Sequence, residues 1–167
     1  MKEKVLELLN INGMTKEIIE NEGMDPKTAL EEFLAFVRSS KANLTHNGIN
    51  FDINFLVQQV KKYLGWKEDR ISALEEHLYR TAIDTAVFFK ANILEEKRRW
   101  NEDFYSFAIR IMDTIAYGKY NLGVCCDQLD IDRSKITQHR ALGDVELTNM
   151  IFSKLIESES YQDKLKV

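Results

Sequence analysis

Apolar residues recur at helical spacing along most of this 167-residue chain, and this pattern most constrains its fold. Residues three and four positions apart lie on one face of a helix, so each apolar stripe predicts a buried face. The stripes are Leu30, Phe33, Leu34 and Val37; Ile71, Leu74 and Leu78; Phe104, Phe107, Ala108, Ile111 and Ile115; and Leu122, Cys125, Cys126 and Leu129. The chain is therefore predicted to be rich in helices.

Polar residues that favour helix starts support this interpretation. Thr15 precedes a predicted helix from Lys16 to Asn21, and Asp25 precedes Pro26, a residue that suits the first helical position. A last helix is predicted from about Arg140 to Glu157. Its inward residues are predicted to be Val145, Thr148, Phe152, Leu155 and Ile156.

Two short runs predict strands between the helices. Ala42 to His46 is one, and Ala82 to Phe89 is the other, because it combines β-branched and aromatic residues. Helical segments separate the two strands, which favours a parallel pair in an α/β fold. No linker divides the sequence, so residues 1–167 are expected to form a single domain with a frayed tail over 158–167.

Composition excludes several classes of protein. No apolar run approaches the roughly 20 residues that a membrane-spanning helix needs, so no membrane partner is expected. The 23 basic and 27 acidic residues give a net charge of -4, unlike the basic balance of a general nucleic-acid coat protein. The adjacent Cys125 and Cys126 are expected to be reduced thiols in the core of a cytoplasmic protein.

Two polar stretches stand apart from this helical background. In residues 44–56, His46-Asn47 and Phe51-Asp52 precede an apolar helix. In residues 138–148, His139 lies five positions before Asp144, near the start of the last helix. Taken singly, these residues are explained by helix capping or by the favourable position of a carboxylate in a first helical turn.

Taken together, the two stretches resemble motifs II and III of the DnaQ-like 3'→5' exonucleases, the DEDDh branch of the RNase H-like superfamily. Those enzymes have a strand ending in His-Asn, a short turn, Phe-Asp and an apolar helix, and later a His followed five residues on by an Asp. The resemblance extends from about Ile11 to Leu155 and includes the segments 11–15 and 120–131. It implies an RNase H-like fold and hydrolysis of single-stranded DNA or RNA from 3' ends.

The resemblance also implies a catalytic site. Asp52 and Asp144 would be ligands of Mg²⁺ or Mn²⁺, since these hard ions prefer carboxylate oxygens and two-ion sites hydrolyse phosphodiesters. His139 would be the general base that takes a proton from the attacking water. The residues implied near the terminal nucleotide are His46, Asn47, Phe51 and Arg140.

The family's first motif, Asp-x-Glu on the first strand, has no counterpart in residues 1–10. The only Asp-x-Glu in the chain is Asp144-Val145-Glu146. The resemblance thus implies an N-terminally incomplete sheet: a truncated exonuclease, one completed by strand addition from a second polypeptide, or an inactive remnant. Weak or no nuclease activity is expected from this chain alone.

Two other classes of function remain open on the sequence. One is a catalytically inactive nucleic-acid-binding or accessory module, and the other is a helix-rich interaction protein. The run from Lys97 to Trp100 would suit phosphate contacts with a base stacked on the Trp, although a solvated helix face is the more ordinary interpretation. Arg133, Lys135 and Arg140 are further candidates for phosphate contacts.

Overall fold

A computed structural model of the chain describes residues 15–136 and 141–158. Within these residues it forms eight helices and two strands. In chain order they are α1 (Lys16–Glu22), α2 (Pro26–Ser39), β1 (Asn43–Thr45), α3 (Asp52–Leu64), α4 (Glu68–Thr81), β2 (Ala82–Asp84), α5 (Thr85–Ile93), α6 (Phe104–Asp113), α7 (Leu122–Gln128) and α8 (Ala141–Glu157). The predictions for His139, Arg140, residues 1–14 and the tail beyond Ser158 fall outside the described residues.

The predicted starts of the first two helices are confirmed. Thr15 Oγ1 accepts a hydrogen bond from the N–H of Ile18 at 3.1 Å, which caps α1. Asp25 Oδ2 accepts from the N–H groups of Lys27 and Thr28, both at 3.1 Å, and the proline that follows it occupies the first position of α2. These side chains satisfy N–H groups that a helix start leaves without partners.

The two strands pair in parallel, as predicted. Asn43 lies opposite Ala82 and Thr45 lies opposite Asp84 in the register of the pair. The helices α3 and α4 connect β1 to β2, which is the crossover that a parallel pair requires. The chain is therefore a helix-rich α/β protein with a two-stranded parallel sheet within the described residues.

The predicted strand from Ala82 to Phe89 is correct only as far as Asp84. Asp84 Oδ1 accepts a hydrogen bond from the N–H of Ala86 at 3.0 Å, so its side chain caps a helix at this point. All residues from Thr85 to Ala91 are buried in that helix. A helix that is buried on every side has no polar face, so its sequence lacks the alternation of apolar and polar residues by which a helix is predicted. Its β-branched and aromatic residues then favour the prediction of a strand.

The last helix buries only part of the predicted face, in which Thr148 and Leu155 are buried as predicted. Leu147, Ile151 and Leu155 are buried against Cys125 and Cys126 of α7, which confirms the core position of the two free cysteines. By contrast, the predicted inward residues Val145 and Ile156 are exposed. Leu147, Ile151 and Leu155 recur every four residues and form the face that packs against α7. The sequence alone did not distinguish this face from the neighbouring one that contains Val145 and Ile156.

A second cluster of buried side chains lies among α2, α3, α4, α5 and α6. Its members include Leu34, Val37, Val57, Val60, Ile71, Leu74, Phe107 and Ile111, most of which belong to the predicted stripes. Ile115, predicted to lie inward, is exposed because α6 ends at Asp113. None of the helices in the described ranges is long and apolar enough to cross a membrane.

Candidate active site

The candidate site lies where the two parallel strands end. His46 and Asn47 directly follow β1, while Asp84 is the last residue of β2. Because β1 and β2 run in the same direction, these ends lie at one edge of the sheet. Ligands of α/β proteins commonly bind at this edge, outside the carboxyl ends of the strands.

Asp84 organises the edge through its buried carboxylate. Oδ1 accepts hydrogen bonds from the N–H groups of Asn47 at 2.7 Å and Ala86 at 3.0 Å. Oδ2 accepts from the N–H of Ile49 at 3.1 Å. One side chain with no exposed surface thus joins the end of β2, the start of α5 and the turn that leads into α3.

The turn after β1 has a backbone that depends on its residue types. Asn47 has a φ of 62°, in the left-handed region that asparagine tolerates better than most residues. A side chain at Gly48 would collide with the side chain of Thr45. Asn47-Gly48 therefore forms a close turn against Thr45, the last residue of β1.

His46 is held through both nitrogens of its ring. Nδ1 lies 2.8 Å from Thr85 Oγ1, and Nε2 lies 2.9 Å from the carbonyl oxygen of Tyr120. Burial lowers the pKa of His46, against the smaller opposing effects of Asp84 and Asp52. His46 consequently connects β1, α5 and the loop that precedes α7.

Asp52 is the first residue of α3, where the helix dipole favours a negative charge. Its pKa is nevertheless raised, first by desolvation of the carboxyl group and then by the negative charge of Asp84. Burial and the charge of Asp84 thus disfavour the ionised carboxylate more than its backbone hydrogen bond and His46 favour it. The site therefore brings together His46, Asp52 and Asp84, of which the first two were predicted.

Two phenylalanines flank Asp52 on the surface. The rings of Phe51 and Phe55 are stacked, with centroids 6.2 Å apart and planes inclined by 4°. They are 64% and 57% exposed, respectively. Exposed parallel rings beside a polar edge are suited to stacking against another flat group.

The second predicted carboxylate, Asp144, lies in the first turn of α8 and is half-buried. Cα atoms of α8 lie within 8 Å of β1, so this helix is a neighbour of the edge that carries His46. The structure leaves His139 and Arg140 undescribed, so their predicted roles stay predictions.

A site for two divalent ions needs several carboxylates that converge on one point. No group of three or more His, Cys, Asp or Glu side chains in residues 15–136 and 141–158 is arranged to hold a metal ion. Asp84 is close to Asp52, but its two oxygens already accept three N–H groups. The described residues by themselves therefore do not complete a site for two divalent ions.

Sequence reasoning missed Asp84 and Thr85, which position the predicted residues. The available signal was an acidic residue and a hydroxyl residue that directly follow a short apolar run, where a strand gives way to a helix. Comparison of the chain with protein-family models, curated proteins and solved structures gave no match. The assignment of function therefore depends on the residues and geometry of this edge.

Proposed function

We propose that this chain carries part of the active site of a DnaQ-like, metal-dependent 3'→5' exonuclease of RNase H-like fold. The substrate would be a single-stranded DNA or RNA 3' end. The observation that carries the proposal is the meeting of Asp52, His46 and Asp84 at the carboxyl edge of two parallel strands. In this proposal, β1 and β2 are two strands of a larger sheet.

The electrostatics of Asp52 support a cation at this edge. Its carboxylate is destabilised by desolvation and by Asp84, and a divalent ion would supply the balancing positive charge. Oxygen ligands suit Mg²⁺ or Mn²⁺. Asp144, on a helix that neighbours β1, is proposed as a second ligand.

Two carboxylates are too few for two ions. The proposal therefore includes further carboxylates from outside the described residues, either in a longer form of the chain or in a second polypeptide. A strand that pairs with β1 is one way to bring such residues to the same edge. His139 is proposed as the general base, in keeping with its spacing from Asp144.

The surface around Asp52 supports the proposed substrate. The exposed stack of Phe51 and Phe55 provides a face for the terminal base, because bases stack readily on aromatic rings. Asn47 lies at the same edge, and Arg140 is proposed to contact a phosphate. The contacts of His46 with Thr85 and Tyr120 favour a positioning role for its ring.

The proposal is tested first by metal binding. Mn²⁺, a paramagnetic ion, is titrated into the isotope-labelled chain, and broadening of amide signals by NMR locates the bound ion. We expect broadening around Asp52 and Asp144, reduced in Asp52→Asn and Asp144→Asn. Asp69→Asn is the matched control, since Asp69 also lies in the first turn of a helix, on exposed surface.

Activity is tested with a 5'-labelled single-stranded oligonucleotide and Mn²⁺. Weak or no shortening from the 3' end is expected, and any shortening is expected to be lost in both site variants and kept in Asp69→Asn. Broadening centred elsewhere, or shortening that both site variants retain, would contradict the proposal.

The alternative is a nucleic-acid-binding module without hydrolysis. The engagement of both Asp84 oxygens by N–H groups favours it, because this removes a third carboxylate from the edge. Salt-dependent binding of single strands, unchanged by Mn²⁺ and without shortening, is the result that distinguishes it.

A further inference from the structure

Trp100 is fully exposed, at 100% of its surface, in the loop between α5 and α6. It directly follows Lys97, Arg98 and Arg99, and we call these four residues the basic turn. Complete exposure of so large an apolar side chain contributes nothing to the folded core. Its position beside three cations instead indicates a surface for a partner that has both flat and anionic groups.

Two acidic neighbours of the basic turn bind Arg110. Glu102 bonds Arg110 twice, at 2.7 and 2.8 Å, and Glu96 bonds it at 2.9 Å. The bonds from Arg110, together with one from the N–H of Arg99 at 3.0 Å, hold the pKa of Glu102 at about 2. Arg110 also donates to the carbonyl oxygen of Lys97 at 3.1 Å, so the same cluster fixes the start of the turn.

The cations of the basic turn remain available for an anion. Lys97 and Arg99 are exposed, and within the described residues no ion pair engages them or Arg98. Glu95 is an exposed acid nearby that also makes no ion pair there, so it opposes an anionic partner. Arg110 thus partly balances Glu96 and Glu102, the two carboxylates that lie beside the turn.

A second loop lies at the same end of α5. Gly118 packs so closely on Ile93, the last residue of α5, that a side chain there would press against it. Tyr117 beside it is 96% exposed. This loop continues to Tyr120, whose carbonyl oxygen contacts His46 of the candidate site. It thus connects the end of α5 with the edge of the sheet.

We propose that the basic turn binds single-stranded nucleic acid, with a base stacked on Trp100 and phosphates held by Lys97 and Arg99. Exposed aromatic rings among cations are the common means of binding single strands without sequence preference. An anionic membrane would also attract cations, but the turn has only one large apolar residue to insert. The idea that the bound nucleic acid continues past Tyr117 towards His46 rests on the proposed function. Binding at the basic turn does not.

The test uses the intrinsic fluorescence of the full chain. The chain has two tryptophans, so Trp66→Phe leaves Trp100 as the only indole emitter. An oligo(dT) strand is added in EDTA, which prevents metal-dependent hydrolysis. We expect saturable quenching of Trp100, since stacking places a base directly on the ring.

Affinity is measured in parallel on the chain with both tryptophans, by the anisotropy of a labelled oligo(dT). Trp100→Ala is expected to weaken binding about fivefold or more, the effect of losing one stacked base. Lys97→Ala and Arg99→Ala are each expected to lower the slope of log affinity against log salt by about 0.7. Glu95→Gln is expected to tighten binding.

The matched control is the double variant Lys62→Ala, Tyr63→Ala. It removes another exposed cation beside an aromatic ring, 4.6 Å apart on α3, and is expected to leave binding unchanged. If Trp100→Ala binds oligo(dT) with the affinity of the wild type, the inference is wrong. It is also wrong if phosphatidylserine vesicles quench Trp100 and oligo(dT) does not. Binding at the turn without Mn²⁺-induced broadening around Asp52 and Asp144 supports this inference and counts against the proposed exonuclease.

Discussion

His46 Nδ1 lies 2.8 Å from Thr85 Oγ1, so residues that follow neighbouring parallel strands meet through one hydrogen bond. The other ring nitrogen, Nε2, faces the carbonyl oxygen of Tyr120, which can only accept, and therefore carries a hydrogen. In the neutral ring, Nδ1 then accepts from the Thr85 hydroxyl. That hydroxyl also lies 3.1 Å from the carbonyl oxygen of Thr45, its alternative acceptor.

This arrangement predicts a stability that falls as the solution is acidified. Burial lowers the pKa of His46 from 6.5 in the folded chain, so below that pH the unfolded chain binds more protons. The neutral His46 ring therefore contributes to the free energy of unfolding above pH 6.5, and this contribution is lost as pH falls towards the lowered pKa. One proton accounts for at most about 1.4 kcal/mol per pH unit. Urea unfolding across this range is expected to show the slope in the wild type and a smaller slope in His46→Gln; equal slopes would contradict the assignment.

Asp84→Asn is expected to destabilise the fold by about 2–3 kcal/mol. The asparagine amide would turn its NH₂ group towards at least one of the N–H groups that Asp84 now accepts, leaving buried donors unpaired. Urea unfolding at neutral pH measures the change. Asp69→Asn, on exposed surface, is expected to change stability by less than about 0.5 kcal/mol. A similarly small effect in Asp84→Asn would show that the carboxylate does not hold the turn.

Local signals made much of the fold predictable. Thr15 and Asp25 cap helices through N–H groups two or three residues away, so a few consecutive residues are enough to predict their roles. The stripes that contain Ile71 and Phe107 border polar faces, which makes their period visible. The run from Thr85 to Ala91 has no polar face, and its helix was therefore predicted as a strand.

The candidate site was predictable only in part for a similar reason. Asp52 and His46 belong to one short motif and could be selected together. Asp84 contacts Asn47 from 37 residues away in sequence, and Tyr120 contacts His46 from 74 residues away. Only the pairing of β1 with β2 and the course of the loop before α7 bring these groups together. No pattern of neighbouring residues predicts contacts between groups so far apart in sequence.

The two cysteines are expected to resist thiol reagents in the folded chain. Burial raises the pKa of Cys125 to about 12, and burial also raises the pKa of Cys126. Since the thiolate is the reactive form, little of it exists near neutral pH. Absorbance with a disulfide reagent is expected to show slow reaction of both thiols without urea and fast reaction in unfolding urea. Rapid reaction of either thiol in the native chain would mean that the α7–α8 contact opens readily.

Asp52→Asn is expected to increase stability at neutral pH, although it is expected to abolish the proposed metal binding. The folded chain raises the pKa of Asp52 above 3.8 through desolvation and the charge of Asp84, so between the two pKa values the folded state binds more protons than the unfolded state. Stability is thus lost as pH rises through this interval, and the neutral amide of asparagine avoids that loss.

Urea unfolding of wild type and variant should show the variant as the more stable at neutral pH, with the difference shrinking as pH falls towards 3.8. Added Mn²⁺ should narrow the difference at neutral pH, because an ion bound to the folded wild type stabilises it and the variant lacks that ligand. A variant less stable than the wild type at neutral pH would indicate that the favourable position of Asp52 at the start of α3 outweighs its desolvation.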